Sequence, residues 1–311
     1  MSNNKKTPHS KSNPLKFNVT EPMPLMDFLM KKMDGISRSK VKRMLANKTI
    51  AVDGERTTQF DFALQPGMVV EIGKPNAKER FRSPWLKIVY EDKYLLVIDK
   101  KEGLLTNSPT KEKDTAKSIL NDYFIYTQQR GRAHTIPRLD RDTSGLMLFA
   151  KSKEVALMFE EDWKRTVYDR RYVAVVCGCV EKKEGVVKSW LKDNKAFVTY
   201  SSPTDNGGKY AETYYKTLYS NARYSLMELQ LETGRKNQIR VHMADIGHPV
   251  VGDSKYGSSA TGSGGYDNSL GRLCLHAYKL CFHHPIKNED MEFETPFPRV
   301  FSKPFPGMER E

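Results

Sequence analysis

The sequence predicts an α+β protein: one large domain with a mixed, largely antiparallel central β-sheet flanked by helices and loops, and a small α/β module at the N-terminus. Strand-like segments occur in runs, and residues 186–230 alternate polar and apolar side chains in several short pieces. Such runs favour an α+β architecture over a regular alternation of strands and helices. Residues 22–73 instead combine two short amphipathic helices with short strands, which is too little chain for an enzyme core.

Composition indicates a polyanionic partner. The 311 residues contain 51 Lys and Arg against 38 Asp and Glu, a formal net charge of +13. Nucleic acid is the partner that such an excess suggests first. The sequence contains no apolar run long enough to span a membrane, and 4 cysteines are too few for a disulfide framework in a chain of this length. We therefore expect a cytoplasmic protein.

The pattern divides the chain into four parts. Residues 1–21 are polar and basic and are predicted to be a disordered tail. Residues 22–73 form the small module, and the polar residues 74–83 form a linker. Residues 84–311 form the large domain. We expect a monomer.

The second predicted helix of the module has one apolar side and one basic side. Ser37 is a suitable N-cap, and Arg38, Lys42 and Arg43 carry the charges of the basic side. The stretch SRSKVKRMLANKTIAVDGERT resembles the αL RNA-binding module first known from a small-subunit ribosomal protein. The resemblance implies that this basic helix lies on an RNA backbone.

The large domain is organised around residues 138–145, where acids and arginines alternate directly before an apolar strand. Asp140 and Asp142 lie between or beside Arg138 and Arg141, and the strand follows at Leu146. Buried charges must be paired. The pattern therefore predicts a loop that holds one ionised carboxylate in a cleft beside an arginine.

A second unusual stretch covers residues 233–242. Arg235 and Arg240 are five residues apart, so on a helix they point in different directions. One can face solvent and a phosphate while the other faces inward. A buried guanidinium requires a carboxylate, and Asp140 is the natural candidate.

These motifs together resemble the RluA family of pseudouridine synthases. The resemblance is carried by RLDRDTSG, RRYVAVVCG, TGRKNQIRVHMADIGHPVVGD and LCLHAYKLCFHHP, in the family's order, over about residues 83–301. It implies that Asp140 is the catalytic aspartate, that Tyr172 lies against the target base and that Arg240 pairs with the aspartate. Arg235 would contact RNA. Arg141, next to Asp140, is a further candidate RNA contact, with a surface ion pair as the alternative. The chain departs from the family at Pro137, often His, and at the pair Lys236 and Asn237.

The implied chemistry fits these side chains. To isomerise uridine, the enzyme breaks the bond from sugar to base nitrogen, turns the base, and rejoins it through a ring carbon. Asp140 must be ionised to act as a nucleophile, and a neighbouring Arg240 should keep its pKa low. The base must be flipped into a pocket, where the ring of Tyr172 can hold it. No step needs a small-molecule cofactor or a metal, and we expect none.

The sequence leaves three alternatives open. Ribosomal RNA of the large subunit is the favoured substrate, but transfer RNA is also compatible with the motifs. A protein that keeps the fold could instead act as a non-catalytic RNA-binding factor in ribosome assembly. A metal-dependent nuclease that uses Asp140 and Asp142 would need a carboxylate cluster around them.

Overall fold

A computed structural model describes residues 15–33, 35–46, 48–73, 83–108, 114–127, 129–136, 138–257 and 267–307. The chain forms two compact units, Met1–Arg82 with Asn121–Arg130, and Ser83–Leu120 with Gly131–Glu311. None of the helices in the described residues is long and apolar enough to cross a membrane. All 4 cysteines are free thiols. Pro137 lies outside the described residues.

The first unit contains two helices and short antiparallel strands. Its elements are β1 (Leu15–Asn18), β2 (Met23–Pro24), α1 (Leu25–Lys32), α2 (Arg38–Ala46), β3 (Ile50–Val52), β4 (Glu55–Arg56), β5 (Ala63–Leu64) and β6 (Val69–Ile72). One sheet has the order β1-β6-β3-β4, and β2 pairs with β5. The helices bury apolar side chains such as Phe28 and Leu45 against this sheet in one core. The Asp53-Gly54 turn joins β3 to β4, as its φ-permissive glycine predicts.

Strand β1 corrects the predicted N-terminal tail. Leu15–Asn18 fall inside the segment 1–21 that the composition assigned to a disordered tail, yet they pair antiparallel with β6. Val19 directly follows and is buried in the core of the unit. The prediction was therefore wrong for these residues, because a few alternating apolar side chains outweigh the polar composition around them.

The second unit is built on one large sheet. In the described residues, eleven strands form it, with the order β13-β12-β14-β15-β11-β16-β10-β8-β7, β17 beside β16 and β9 beside β10. The strands are β7 (Leu86–Glu91), β8 (Leu95–Lys100), β9 (His134–Thr135), β10 (Ser144–Ala150), β11 (Asp169–Cys177), β12 (Glu184–Asp193), β13 (Thr199–Ser202), β14 (Lys209–Ser220), β15 (Tyr224–Leu231), β16 (Leu275–His284) and β17 (Glu289–Glu294). Every pairing is antiparallel except that of β10 with β16. The predicted mixed, largely antiparallel sheet is confirmed.

Few helices accompany this sheet. Within the described part of this unit they are α4 (Lys153–Glu161), α5 (Trp163–Thr166), α6 (Gln238–Asp245) and a 3₁₀ helix (Arg299–Ser302), while α3 (Ala116–Tyr126) begins in the second unit and ends in the first. The sequence predicts one helix from Lys153 to about Arg165, but Asp162 leaves the helical region at φ −137° and ψ 63°. The break places Trp163 at the start of a separate short helix, where its ring packs against Arg170 of strand β11.

The loop before β10, residues 138–143, is held in place by buried polar contacts. Lys100 is fully buried, and its Nζ donates to the carbonyl oxygens of Lys101, Leu104 and Arg141. Gly145 has φ +113°, and a Cβ there would lie 2.2 Å from the carbonyl oxygen of Ala277. Only glycine fits this position. The charged loop is therefore held rigidly where the sheet changes to its one parallel pairing.

Candidate active site

A cleft of about 630 Å³ opens over the middle of the large sheet. Its walls come from the loop 138–143, from Trp163 on α5, from β11 and from residues 231–240 at the start of α6. Asp140, Tyr172, Arg235 and Arg240 all line this cleft. The structure thus brings together side chains that are far apart in the sequence, as the predicted site requires.

Asp140 lies in the cleft with its side chain 22% exposed. Its closest ion-pair partner is Arg240, whose Nη1 lies 3.9 Å from Oδ2 of Asp140. This distance is an electrostatic contact rather than a hydrogen bond. The predicted pairing of the two residues is present, but it is loose.

Arg240 has a closer partner that the sequence did not identify. Its Nε and Nη2 donate to Oδ2 and Oδ1 of Asp253, each at 2.7 Å. Asp253 is only 1% exposed and also accepts hydrogen bonds from the backbone N–H groups of Lys255 and Tyr256. The guanidinium lies over the ring of Tyr256, 5.2 Å from its centroid. Asp253 therefore holds Arg240 in place.

Asn237 completes the support of Arg240. Its Oδ1 accepts a hydrogen bond from Nη1 of Arg240 at 3.1 Å, and its Nδ2 donates to the hydroxyl of Tyr256. Asn237 has φ +54°, a left-handed conformation that asparagine tolerates better than most residues. Asn237 belongs to one of the two places where the chain departs from the family motif. The residue present there provides a hydrogen-bond acceptor for Arg240.

The pKa of Asp140 moves opposite to the prediction. Burial raises it above the ordinary value for an aspartate, and the charges of Arg240 and Arg138 oppose that rise without reversing it. The prediction that Arg240 keeps this pKa low was wrong. The physical reason is that Arg240 stands 3.9 Å away and is already neutralised by Asp253.

Tyr172 lies on β11 and is 8% exposed. Burial raises the pKa of its hydroxyl, and the negative charge of Asp140 adds to that rise. The ladder between β11 and β16 changes register between Arg171 and Tyr172. A bulge of this kind re-aims a side chain next to an active site. Tyr172 remains a neutral, buried aromatic group at the wall of the cleft.

The two arginines predicted to contact RNA in this unit differ in position. Arg235 is exposed at the cleft, and its Nε donates to the carbonyl oxygen of Tyr210 at 3.0 Å. Arg141 is exposed beside the cleft and does not line it. Arg138, Arg170 and Lys236 also line the cleft, although the sequence motifs predict no role for them. The cleft is therefore more basic than predicted.

The basic helix of the first unit has the expected two sides. Arg38, Lys42 and Arg43 on α2 are exposed, while Val41, Met44 and Leu45 are buried. The Nζ of Lys42 lies 6.0 Å from the ring centroid of the exposed Phe60. This helix thus presents cations and an aromatic ring to solvent.

The carboxylate cluster that a nuclease would need is missing from the described part of the chain, where no group of three or more His, Cys, Asp or Glu is placed to hold a metal ion. Asp142 is exposed, whereas Asp140 lies in the cleft. The expectation that no cofactor or metal is needed stays a prediction.

Asp140 beside a guanidinium and a buried tyrosine, in an arginine-lined cleft over a mixed sheet, is an arrangement typical of an enzyme that acts on a polyanionic substrate. The comparisons identify the family. Residues 94–245 match the model of the RNA pseudouridylate synthase family. The chain belongs to this family, in its RluA-type branch, and is an RNA pseudouridine synthase, an isomerase.

Relatives and a solved structure agree with this assignment. YjbO of Bacillus subtilis, an uncharacterised RNA pseudouridine synthase, is 37% identical over 265 residues, which cover 83% of this chain and 90% of that protein. Ribosomal large subunit pseudouridine synthase D of Vibrio cholerae is 31% identical over 278 residues, 84% of each chain. Human RNA pseudouridylate synthase domain containing 1 is similar in structure, with a TM-score of 0.54, 26% identity, and coverage of 70% of this chain and 86% of that one.

Proposed function

We propose that this enzyme isomerises specific uridines in structured ribosomal RNA of the large subunit, with Asp140 as the nucleophile. The observation that carries the proposal is the meeting of Asp140, Tyr172 and Arg240 in one basic cleft. The substrate is supported by the relatives at 31% and 35% identity that are named ribosomal large subunit pseudouridine synthase D.

Asp140 is suited to attack the sugar. Its carboxylate reaches the open cleft, and the loop that carries it is fixed by Lys100 below. In the proposed step the carboxylate forms a bond to C1′ of the target nucleotide while the C1′–N1 bond breaks. Arg240 orients the carboxylate from 3.9 Å, and Asp253 keeps Arg240 from rotating away.

Tyr172 is suited to hold the flipped base. Target bases in folded RNA must leave the stack before chemistry can occur, and an aromatic face compensates for lost stacking. The buried ring of Tyr172 shares the cleft with Asp140, so a base that lies against the ring presents its sugar to the carboxylate. Arg235, at the exposed side of the cleft, is suited to a phosphate of the same strand, and Arg141 to a neighbouring one.

The first unit is proposed to be the αL-type RNA-binding module. Its exposed Arg38, Lys42 and Arg43 on one side of α2 supply the charge pattern that binds a phosphate backbone. Two short helices packed on a small antiparallel sheet support the proposal, together with the sequence pattern of residues 37–57.

Mapping pseudouridines in a deletion strain against wild type tests the substrate. We expect one or more sites to be lost from large-subunit ribosomal RNA and to return with the wild-type gene but not with Asp140→Asn. Loss from transfer RNA alone would contradict the ribosomal assignment. Unchanged RNA together with a ribosome-assembly defect would favour the non-catalytic alternative.

Tritium release from RNA labelled at C5 of uridine tests the role of Asp140. Asp140→Asn should lower the single-turnover rate by at least roughly 10³-fold while RNA binding stays close to wild type. The matched control is Asp142→Asn, an exposed acid two residues away, which should keep its activity. Full tritium release by Asp140→Asn would overturn the assignment.

A further inference from the structure

Arg170 is a buried cation in the cleft that the proposed mechanism does not yet use. It lies on β11 two residues before Tyr172, and both side chains line the same cleft. The residue is 8% exposed. A charged group this deep in a protein carries a large desolvation cost.

No carboxylate in the described residues repays that cost. Arg170 has no ion pair within 4.0 Å and no side-chain hydrogen bond among them, whereas Arg240 is bound to Asp253 and Arg171 to Asp169 and Glu228. Glu232 acts on Arg170 only electrostatically, and burial lowers the pKa of Arg170. The guanidinium of Arg170 therefore faces the cleft without a protein acceptor among the described residues, and it is placed to donate to an acceptor that the substrate brings.

Two neighbours fix the plane of the guanidinium. Its Cζ lies 5.1 Å from the ring centroid of Trp163. Gly234 lies next to it, and a Cβ at that glycine would come within 3.0 Å of Nη1 and 3.5 Å of Nη2. Trp163 and the bare backbone of Gly234 therefore hold the group by contact, without consuming its N–H donors.

We propose that Arg170 donates hydrogen bonds to a carbonyl oxygen of the flipped uracil and stabilises the ring when it leaves the sugar. This inference rests on the proposed function, in which the base lies against Tyr172. The hydroxyl of Tyr172 feels the charges of both Arg170 and Asp140. The tyrosine thus connects the sugar end of the site to the guanidinium.

The proposed step balances without an outside reagent. When C1′–N1 breaks, its electron pair stays on N1, and Asp140 takes the place of the nitrogen on C1′. The uracil is then an anion whose charge spreads over N1 and the ring carbonyl oxygens, one of which Arg170 binds. After the ring turns, an electron pair of C5 forms the C1′–C5 bond and releases Asp140. The C5 proton is lost and N1 gains one.

The depth of Arg170 favours the base over a backbone phosphate as its ligand. Arg138 and Arg235 line the same cleft and are exposed, so they are placed for phosphates that stay near solvent. Arg170 is buried beside the ring that is proposed to hold the base. Fixed donors aimed at developing charge accelerate a reaction more than they strengthen ground-state binding.

Single-turnover kinetics of Arg170→Gln on full-length enzyme with its substrate RNA test the inference. We expect the isomerisation rate to fall by about 10²-fold or more while the RNA Kd changes by less than about twofold. Arg170→Lys should recover part of the rate. Arg171→Gln, which removes the neighbouring arginine, is the matched control and should keep the wild-type rate.

A fluorinated substrate separates charge stabilisation from a structural role. RNA with 5-fluorouridine at the target site yields a better leaving group, because fluorine stabilises the ring anion. The factor by which Arg170→Gln slows cleavage of the C1′–N1 bond, relative to wild type, should therefore be smaller on this RNA than on RNA with uridine at the target site. An equal loss on both substrates would overturn the proposal.

Further outcomes also decide it. A weaker Kd with a salt slope reduced by about 1 would assign Arg170 to a phosphate instead. An unchanged rate would remove any role. If Arg170→Gln fails to fold, Arg170→Lys should still lower the rate at constant Kd, because an ammonium group lacks the planar fork of N–H donors, and a wild-type rate for Arg170→Lys would refute the inference. Wild-type enzyme that releases no tritium would instead refute the proposed function.

Discussion

Arg240 donates two hydrogen bonds of 2.7 Å to Asp253 while its Nη1 stands 3.9 Å from Oδ2 of Asp140. One guanidinium therefore serves two carboxylates unequally. Asp253 neutralises and orients the guanidinium. Asp140 is attracted to it electrostatically but accepts no hydrogen bond from it. This division leaves Asp140 without a bidentate partner, so its oxygen atoms stay available for a substrate.

Asp253→Asn should lower both stability and activity. The substitution keeps the shape of the side chain but leaves Arg240 buried without its counter-charge. We expect the free energy of unfolding to fall by about 3 kcal/mol, because breaking a buried pair from one side strands the other charge. The single-turnover rate should fall by about 10²-fold, because Arg240 then loses its fixed position. Urea unfolding and tritium release measure the two effects.

Asp290→Asn is the control for that variant. Asp290 is exposed and pairs with His283 at the surface, so its loss should change stability by less than about 0.5 kcal/mol. If Asp253→Asn were as mild as this control, the assignment of Asp253 as the residue that holds Arg240 would be wrong.

The raised pKa of Asp140 has opposite consequences for rate and stability. Because Asp140 must be ionised to act as the proposed nucleophile, the isomerisation rate should fall as the pH drops through a pKa above the ordinary aspartate value. The folded state binds this proton more tightly than the unfolded state, so ionised Asp140 lowers stability at all pH values above its unfolded pKa. Asp140→Asn should therefore raise the melting temperature at neutral pH.

A pH–rate profile from about pH 4 to pH 8 and thermal unfolding of the two proteins test this pair of effects. Asp142→Asn should leave the melting temperature close to wild type, since Asp142 is exposed. A lower melting temperature for Asp140→Asn would show that the ionised carboxylate stabilises the fold, against our expectation.

The sequence was sufficient for what depends on local pattern and on motif. Alternation of side chains predicts the antiparallel strands. The charged stretches predict that Asp140 meets Arg240, whereas the role of Tyr172 follows from the family resemblance alone. It could not predict Asp253 as the partner of Arg240, because spacing does not say which of several carboxylates a buried arginine meets. The packing of Trp163 on Arg170 is hidden for the same reason, since it depends on the helix break at Asp162.

The prediction that Arg240 keeps the pKa of Asp140 low was wrong for a different reason. Its sign depends on the balance between desolvation and a guanidinium at 3.9 Å, and that balance requires the depth of the cleft. The prediction from composition missed strand β1, because the polar residues around it outnumber the four residues whose apolar and polar side chains alternate. Each of these outcomes depends on a distance between residues far apart in the sequence, or on how deeply a side chain is buried.

The basic side of α2 should contribute to RNA affinity in a salt-dependent way. Replacing Arg38, Lys42 and Arg43 with Gln removes three exposed cations without touching the core of the unit. If each contacts a phosphate, the slope of log Kd against log salt concentration should fall by roughly 2 to 3. Binding of substrate RNA in a salt titration measures this slope, and the rate at saturating RNA should stay near wild type.

A variant with the same change of charge elsewhere controls for net charge alone. Lys182, Lys183 and Lys303 are exposed residues of the second unit. Their replacement with Gln should change the salt slope much less. Equal slopes for the two triple variants would mean that overall charge, not α2, determines RNA affinity.

Two buried histidines should make the fold sensitive to acid. His276 is held between Ser144 and Thr295, and His242 between Ser189 and Thr213, all through neutral hydroxyls. Burial lowers the pKa of His276 to about 3 and that of His242 to about 4. Both must stay neutral in the folded state at pH values where the unfolded chain takes up protons.

The sign of the pH effect follows from that difference. Above pH 6.5, the ordinary pKa of histidine, both histidines are neutral in the folded and in the unfolded state. In that range they add no pH dependence to the free energy of unfolding. Below it the unfolded state binds more protons, so each histidine lowers the free energy of unfolding by about 1.4 kcal/mol per pH unit until its folded pKa is reached. Urea unfolding between about pH 7 and pH 5 should show the combined slope.

His276→Gln should remove about half of that slope, whatever it does to stability at pH 7. The control is His283→Gln, because the side chain of His283 is 38% exposed and its pKa is raised by hydrogen bonding to Asp290 and Asn288. A raised pKa contributes stability below the unfolded value, so losing His283 cannot reduce the acid sensitivity. If His276→Gln kept the full slope, the acid sensitivity would belong to other groups, and burial would not lower the pKa of His276 as proposed.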